Sequence, residues 1–144
     1  MQALDLIFVP DFSNDKTIEI IDRYYNNSSK KNFINIIKNR KNLGYGGVQK
    51  IAFKFALENN FDFVIMLHGD GQYAPEKIPD FISNLVNSKV DAVFGSRLIN
   101  PKDALKGGMP LYKFIGNRAL TIIQNSILGT KMSEFHSGYR SYNV

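Results

Sequence analysis

Apolar positions in this chain come in short dense runs, separated by polar segments with helical spacing. Residues 4–9 (LDLIFV), 33–38 (FINIIK), 61–67 (FDFVIML) and 90–95 (VDAVFG) each read as a strand. The third is apolar nearly throughout, as strands covered on both faces usually are. Between them, residues 18–26 (IEIIDRYYN) read as a helix after the polar turn PDFSNDKT. Val48, Ile51, Ala52 and Phe55 mark one helical face, and Ile78, Phe81, Ile82 and Leu85 another. Pro75 suits the first turn of the latter helix. Strands alternating with helices predict an α/β domain with a mainly parallel sheet and flanking helices. The pattern changes after Gly95. A loop with paired glycines (SRLINPKDALKGGMP) precedes a last helix over residues 111–128, with an apolar stripe of Leu111, Phe114, Ile115, Ala119, Ile122 and Ile123. The chain then finishes on a polar, aromatic-rich segment, SEFHSGYRSYNV.

Composition narrows the chemistry. The 144 residues suffice for one domain with a core. With 44% hydrophobic and 22% charged residues, the balance is globular. The absence of cysteine excludes disulfides, cysteine-ligated zinc and cysteine nucleophiles. No apolar run approaches the roughly 18 residues that cross a bilayer. No basic n-region opens the chain, so a cytoplasmic location is expected. The net charge of +5 suits an anionic partner or a merely solvated surface. Outside SSKKN and IKNRKN the basic residues are scattered, so no nucleic-acid partner is expected.

Ligands of open α/β sheets bind beyond the carboxyl ends of the strands. Four polar clusters fall there: Asp11, Ser13 and Asp15; the glycine loop at 44–47; His68, Asp70 and Gln72; and Ser96 with Arg97. In an extended segment His68, Asp70 and Gln72 point the same way. Gly69 and Gly71 between them leave room for a ligand. This donor set suits a divalent cation that keeps positions open for phosphate oxygens. The alternative is that Asp70 caps the following helix while Gln72 is solvated. The loop NLGYGGVQK is neither a Walker A motif nor a dinucleotide fingerprint. It is a tight strand-to-helix turn, or a place where backbone approaches a nucleotide.

Taken in order, VPDFSNDKT, NLGYGG, VIMLHGDGQYAPEKIPDFI, DAVFGSR, GNRALT and SEFHSGYRSYN resemble the motifs of family 2 glycosyltransferases. The branch that makes dolichyl- and polyprenyl-phosphate sugars is the most similar. The resemblance spans nearly the whole chain. It implies a Rossmann-like GT-A fold for nucleotide-diphospho-sugar transfer. It also implies an inverting transfer from a UDP- or GDP-linked sugar to a polyprenyl phosphate, or to a cell-surface polysaccharide or glycolipid.

Residue by residue, the family's DADxQ signature falls on His68-Gly69-Asp70-Gly71-Gln72. It implies Mg²⁺ or Mn²⁺ held on the donor diphosphate by Asp70 and Gln72, with His68 where the family has its first aspartate. The family's paired aspartates of the DDGS turn become Pro10 and Asp11, which makes Asp11 the nucleoside contact. Asn42 and Gly44 are expected against the nucleotide. Arg97 of GSR is expected as an anion clamp, or else as a salt bridge that pins its loop. Arg118 and Arg140 are expected near acceptor phosphate or leaving diphosphate. Glu134, just before SGYR, is expected as the general base or else as part of the site wall, with His136 its rival as base; a lipid-phosphate acceptor, already an anion, hardly needs one.

Relative to the family the chain starts after the first strand and helix and stops just after SGYR. The expectation is therefore one partial, N-terminally truncated catalytic domain over 1–144. The sheet would lack its first strand, and an exposed flank would favour homo-oligomers. Lys113 and Arg118 beside the last helix's apolar stripe fit peripheral contact with a membrane at its inner face, though core packing explains the stripe equally well. The rival functional readings are a non-catalytic nucleotide-sugar-binding module or inactive fragment, and, last, a nucleic-acid-binding domain.

Overall fold

The structure is a computed structural model that describes residues 4–12, 15–100, 104–105 and 108–144. Ser13, one of the polar residues after the first strand, lies outside them, as does part of the paired-glycine loop. The chain forms two compact units, Met1–Phe61 and Asp62–Val144.

The first unit is a right-sized βα pattern on a small sheet. Strand β1 (Leu6–Phe8) pairs in parallel with β2 (Ile34–Ile36), Leu6 opposite Ile34 and Phe8 opposite Ile36. Parallel neighbours need a crossover, which α1 (Thr17–Asn27) supplies. Asp15 accepts a hydrogen bond from the Thr17 amide at 2.9 Å and so steadies the start of α1. Helix α2 (Gly44–Glu58) follows the glycine loop. Its expected face of Val48, Ile51, Ala52 and Phe55 is half-buried, and Ala56 is fully buried.

The second unit holds β3 (Phe63–Met66), α3 (Ile78–Ser88), β4 (Ala92–Phe94), α4 (Leu111–Leu128) and β5 (Arg140–Asn143). A single 3-10 turn begun by Pro75 leads into α3, whose apolar face buries Phe81 and Leu85 as the spacing predicts. The sheet order is β3-β5-β4. Strand β5 runs antiparallel to both neighbours, so β3 and β4 point the same way on either side of it. The polar sequence RSYN hides this central strand. Ser141 is fully buried there, with its Oγ donating to the Val93 carbonyl. Gly95, after β4, is required by crowding: a Cβ there would lie 2.9 Å from Phe81 Cζ and 3.2 Å from Tyr139 Cβ.

Helix α4 corrects the expectation of an apolar core stripe. Leu111, Ile115, Ile122 and Ile123 are more than half exposed, while Thr121 is buried and Asn117, Gln124 and Asn125 are half-buried. The reason is hydrogen bonding to the segment after the helix. Asn125 donates to the Met132 carbonyl and accepts from the Met132 amide and the Thr130 hydroxyl, each at 2.8 Å. Asn117 donates to Glu134 at 2.8 Å. These asparagine contacts fix which side of α4 faces inward, and the isoleucines take the other; Gln124 Oε1, on the inward side, is buried without a hydrogen-bond partner. Gly129, at φ +63°, ends the helix in the left-handed conformation that glycine accepts without strain.

Candidate active site

In the first unit the turn after β1 and the glycine loop are tied together. The Asp11 carboxylate accepts from the Leu43 amide at 2.7 Å, and Asn39 Nδ2 donates to the Pro10 carbonyl at 3.3 Å. Asn42 Oδ1 accepts from the Gly44 amide at 2.9 Å, and Gly44 takes φ +66°. Three residues that the sequence marks for a nucleotide, Asp11, Asn42 and Gly44, thus form one hydrogen-bonded corner at the start of α2.

In the second unit a cavity of about 1170 Å³ opens beyond the ends of β3 and β4. Asp70, Gln72, Ser96, Arg97, Asn117 and His136 are among its lining residues. Asp70 Oδ1 accepts from the Gln72 amide at 3.0 Å, a local turn that Gly71 completes at φ +74°. Asp70 caps no helix, because the residues before the 3-10 turn and α3 are Ala74 and Lys77. Both Asp70 and Gln72 are exposed to the cavity. His68 is not among its lining residues. The His68 ring meets Tyr73 edge-on at 5.4 Å and packs on Gly138, where a Cβ would fall 2.6 Å from Nε2. Alternation along the segment therefore does not bring all three side chains to one point, because the extended backbone ends at Met66 and residues 69–71 form a turn. Among the described residues no three His, Asp or Glu side chains gather as a metal-binding cluster.

Arg97 and Glu134 form a tight, mostly enclosed polar contact. Glu134 is 1% exposed. Its Oε1 accepts from Arg97 Nη2 at 2.6 Å, Arg97 Nε at 3.2 Å and Asn117 Nδ2 at 2.8 Å; its Oε2 accepts from the Arg97 amide at 2.7 Å. Burial alone would push the Glu134 pKa up. The Arg97 and Asn117 hydrogen bonds and the guanidinium charge outweigh it and hold the pKa below the ordinary glutamate value. Burial works against the Arg97 charge too, yet the bond to Glu134 and its charge raise the Arg97 pKa. Arg97 is therefore both readings at once: it pins its loop through Glu134 and still lines the cavity, with its side chain one-third exposed. Glu134 does not line the cavity, and a general base must reach the proton it takes. His136 does line it and is exposed.

The other two arginines that the resemblance marks, Arg118 and Arg140, lie away from the cavity lining. Arg118 is exposed on α4. Arg140 donates to the carbonyls of Ser137 at 2.7 Å and Phe135 at 2.9 Å, with its guanidinium 5.3 Å from the Phe94 ring centroid. It thus braces the segment that carries His136. Sequence reasoning passed over Asn117, although it stands beside Arg118 in the GNR motif; its position one turn from Phe114 and Thr121 on the inward side was the available signal. It also passed over two tyrosines. Tyr73 accepts from the Gly138 amide at 2.8 Å, and Tyr139 donates to the Ala74 carbonyl at 3.0 Å. Together they clamp the Asp70–Gln72 turn to the SGYR segment.

A family model described as glycosyl transferase family 2 matches residues 1–144. The chain is 35% identical over 107 residues to a UDP-N-acetylglucosamine--dolichyl-phosphate N-acetylglucosaminyltransferase of Methanococcus voltae, covering 74% of this chain and 42% of that protein. It is 25% identical over 140 residues to an undecaprenyl-phosphate mannosyltransferase of Micrococcus luteus, covering 97% of this chain and 55% of that one. The chain spans about half the length of the curated relatives it matches. No solved structure matches it.

Proposed function

The chain belongs to glycosyl transferase family 2, whose GT-A fold its α/β architecture fits, and from that premise we propose that it is a glycosyltransferase domain. It moves a sugar, with inversion, from a UDP- or GDP-linked donor to a polyprenyl phosphate. The observation that carries this reading is the convergence of Asp70, Gln72 and Arg97 on one cavity. Asp70 keeps one carboxylate oxygen out of its turn hydrogen bond, and Gln72 adds an amide oxygen. Two hard oxygen donors on an exposed wall fit Mg²⁺ or Mn²⁺, which fills its remaining positions with water and phosphate oxygens. When bound, the cation neutralises the diphosphate that departs as the glycosidic bond breaks. His68, packed on Gly138, supports that metal only by bracing the turn.

Arg97 supplies a second, fixed positive charge to the same leaving group. Its planar fork of donors suits phosphate oxygens, and Glu134 with Asn117 keeps it in place before the donor arrives. We read Glu134 as a positioning residue for Arg97. That assignment favours a lipid-phosphate acceptor over a hydroxyl, since an anionic acceptor attacks without surrendering a proton. The names of the two relatives point to the same acceptor class. Asp11, Asn42 and Gly44 would meet the nucleoside. A polyprenyl phosphate resides in a membrane, so the domain would work in the cytoplasm at the membrane's inner face. No helix among the described residues is long and apolar enough to cross that membrane.

The test is calorimetric titration of UDP and GDP, with and without Mn²⁺, on this chain and on Asp70→Ala. Metal-dependent binding that the variant loses is the expected result and names the base. Binding that ignores both metal and substitution would overturn the role of Asp70, and no binding under any condition would overturn the reading of this chain as a competent donor site.

A further inference from the structure

We infer that Tyr73 and Tyr139 are positioning residues that set the spacing between the Asp70–Gln72 turn and Arg97, with residues 134–139 as their common template. The inference rests on the proposed function and deepens it. Residues 69–72 are all exposed, and β3 has already ended at Met66. The bond from the Gln72 amide to Asp70 shapes the turn but does not fix it against the rest of the unit. Tyr73 is the next half-buried side chain, and its hydroxyl accepts from the Gly138 amide at 2.8 Å. One residue on, the Ala74 carbonyl accepts from the Tyr139 hydroxyl at 3.0 Å. The two bonds run in opposite directions between residues 73–74 and 138–139, and each spans 65 residues of sequence. The two rings lie 5.4 Å apart, and Phe81 stacks on Tyr139 at 4.3 Å. A single bond would act as a hinge; two offset bonds with packed rings fix both the place and the angle of the turn.

The partner segment is well held. Ser137 and Tyr139 are buried, and Ser137 Oγ accepts from the Tyr139 amide at 3.2 Å. Arg140 grips the carbonyls of Phe135 and Ser137. At its start the same segment fixes Arg97 through Glu134. It therefore holds the guanidinium at one end and the Asp70–Gln72 turn at the other. A divalent cation on Asp70 and Gln72 and the Arg97 guanidinium are two cationic points on one cavity. A diphosphate reaches both at once, whereas a monophosphate engages one. Simultaneous engagement strengthens binding only when the spacing permits it. What the tyrosines secure is thus affinity for two phosphates in tandem, not for phosphate as such.

The experiment is calorimetric titration of UDP, UMP, GDP and GMP, with Mn²⁺, on the full chain and on Tyr73→Phe and Tyr139→Phe, which keep their rings. Each variant should weaken binding of the diphosphate about tenfold, as loss of a group that orients metal ligands does. Binding of the matching monophosphate should weaken by less than about twofold. Ser141→Ala removes a buried hydroxyl from β5 without touching the turn. It controls for lost stability and should leave the ratio of the two affinities at its wild-type value. Equal weakening of diphosphate and monophosphate would reduce the tyrosines to structural residues and overturn the inference. Undiminished diphosphate binding would overturn it too, as would a ratio shifted just as far by Ser141→Ala. If the wild type binds a diphosphate and the tyrosine variants match it, this inference fails and the proposed function stands; if the wild type binds no nucleotide, both fall.

Discussion

Asp70 and Glu134 are the two acids that the sequence marks for catalysis, and the fold treats them in opposite ways. Asp70 stands exposed in a short turn, with one hydrogen bond to a neighbouring amide and nothing packed over it. Glu134 is enclosed by four donor contacts from Arg97 and Asn117 and has lost almost all contact with water. An exposed carboxylate with unused lone pairs is available to a ligand and contributes little to stability. An enclosed one with lowered basicity is part of the scaffold. The same residue type near the same motif therefore divides into recognition and support according to how many donors the fold already aims at it.

The largest effect that would break this contrast is on Glu134. Glu134→Ala leaves Asn117 and the Arg97 amide without their acceptor beside a partly buried guanidinium. It should cost about 3 kcal/mol or more in urea unfolding; a loss under about 1 kcal/mol would mean the enclosure carries no weight. The same carboxylate sets an acid limit. Its folded pKa lies below its unfolded one, so its contribution is complete above the ordinary glutamate value of about 4.3. That contribution disappears as pH falls through the folded value. Glu134→Gln should flatten this acid limb in pH-dependent melting curves, and a limb of unchanged slope would shift the titration to other carboxylates.

Smaller effects sharpen the contrast through the glycines. Gly95→Ala, pressed between Phe81 and Tyr139, should cost about 1–3 kcal/mol by overpacking. Gly138→Ala drives a methyl into the His68 ring. It should cost less, since a side chain can give, and His68→Ala in the same chain should restore stability; no rescue would show that the strain lies in the backbone. The smallest stability change belongs to Asp70→Asn, within about 0.5 kcal/mol, as for exposed positions generally. The same variant should lose Mn²⁺-dependent nucleotide binding. A melting temperature that falls as far for Asp70→Asn as for Glu134→Ala would erase the distinction.

Local pattern carried much of the fold. The density of Phe63, Val64, Ile65 and Met66 and the spacing of Phe81 and Leu85 suffice to draw β3 and α3, because burial there follows hydrophobicity. It failed where polar side chains do the packing. Ser141 is fully buried in a central strand, and Asn117 and Asn125 face inward on α4, since their partners lie in segments that no window around them contains. In the site, Asp70, Gln72 and Arg97 were legible from their place after strands. That Glu134 would be enclosed was not, because its donor Arg97 lies 37 residues earlier. Nor could alternation foresee that the strand would end at Met66, turn at 69–71 and leave His68 against Gly138.

Strand β5 is the last element in the chain and the middle one in its sheet, joining β3 to β4. A ribosome delivers β3 and β4 long before residues 140–143 emerge, and until then neither has its partner. Both must wait with bare edges, Val64 for Tyr142 and Val93 for Ser141, across separations of 78 and 48 residues. Such long-range pairing is slow, and the waiting edges invite wrong partners. A peptide released before Arg140 should therefore aggregate rather than fold.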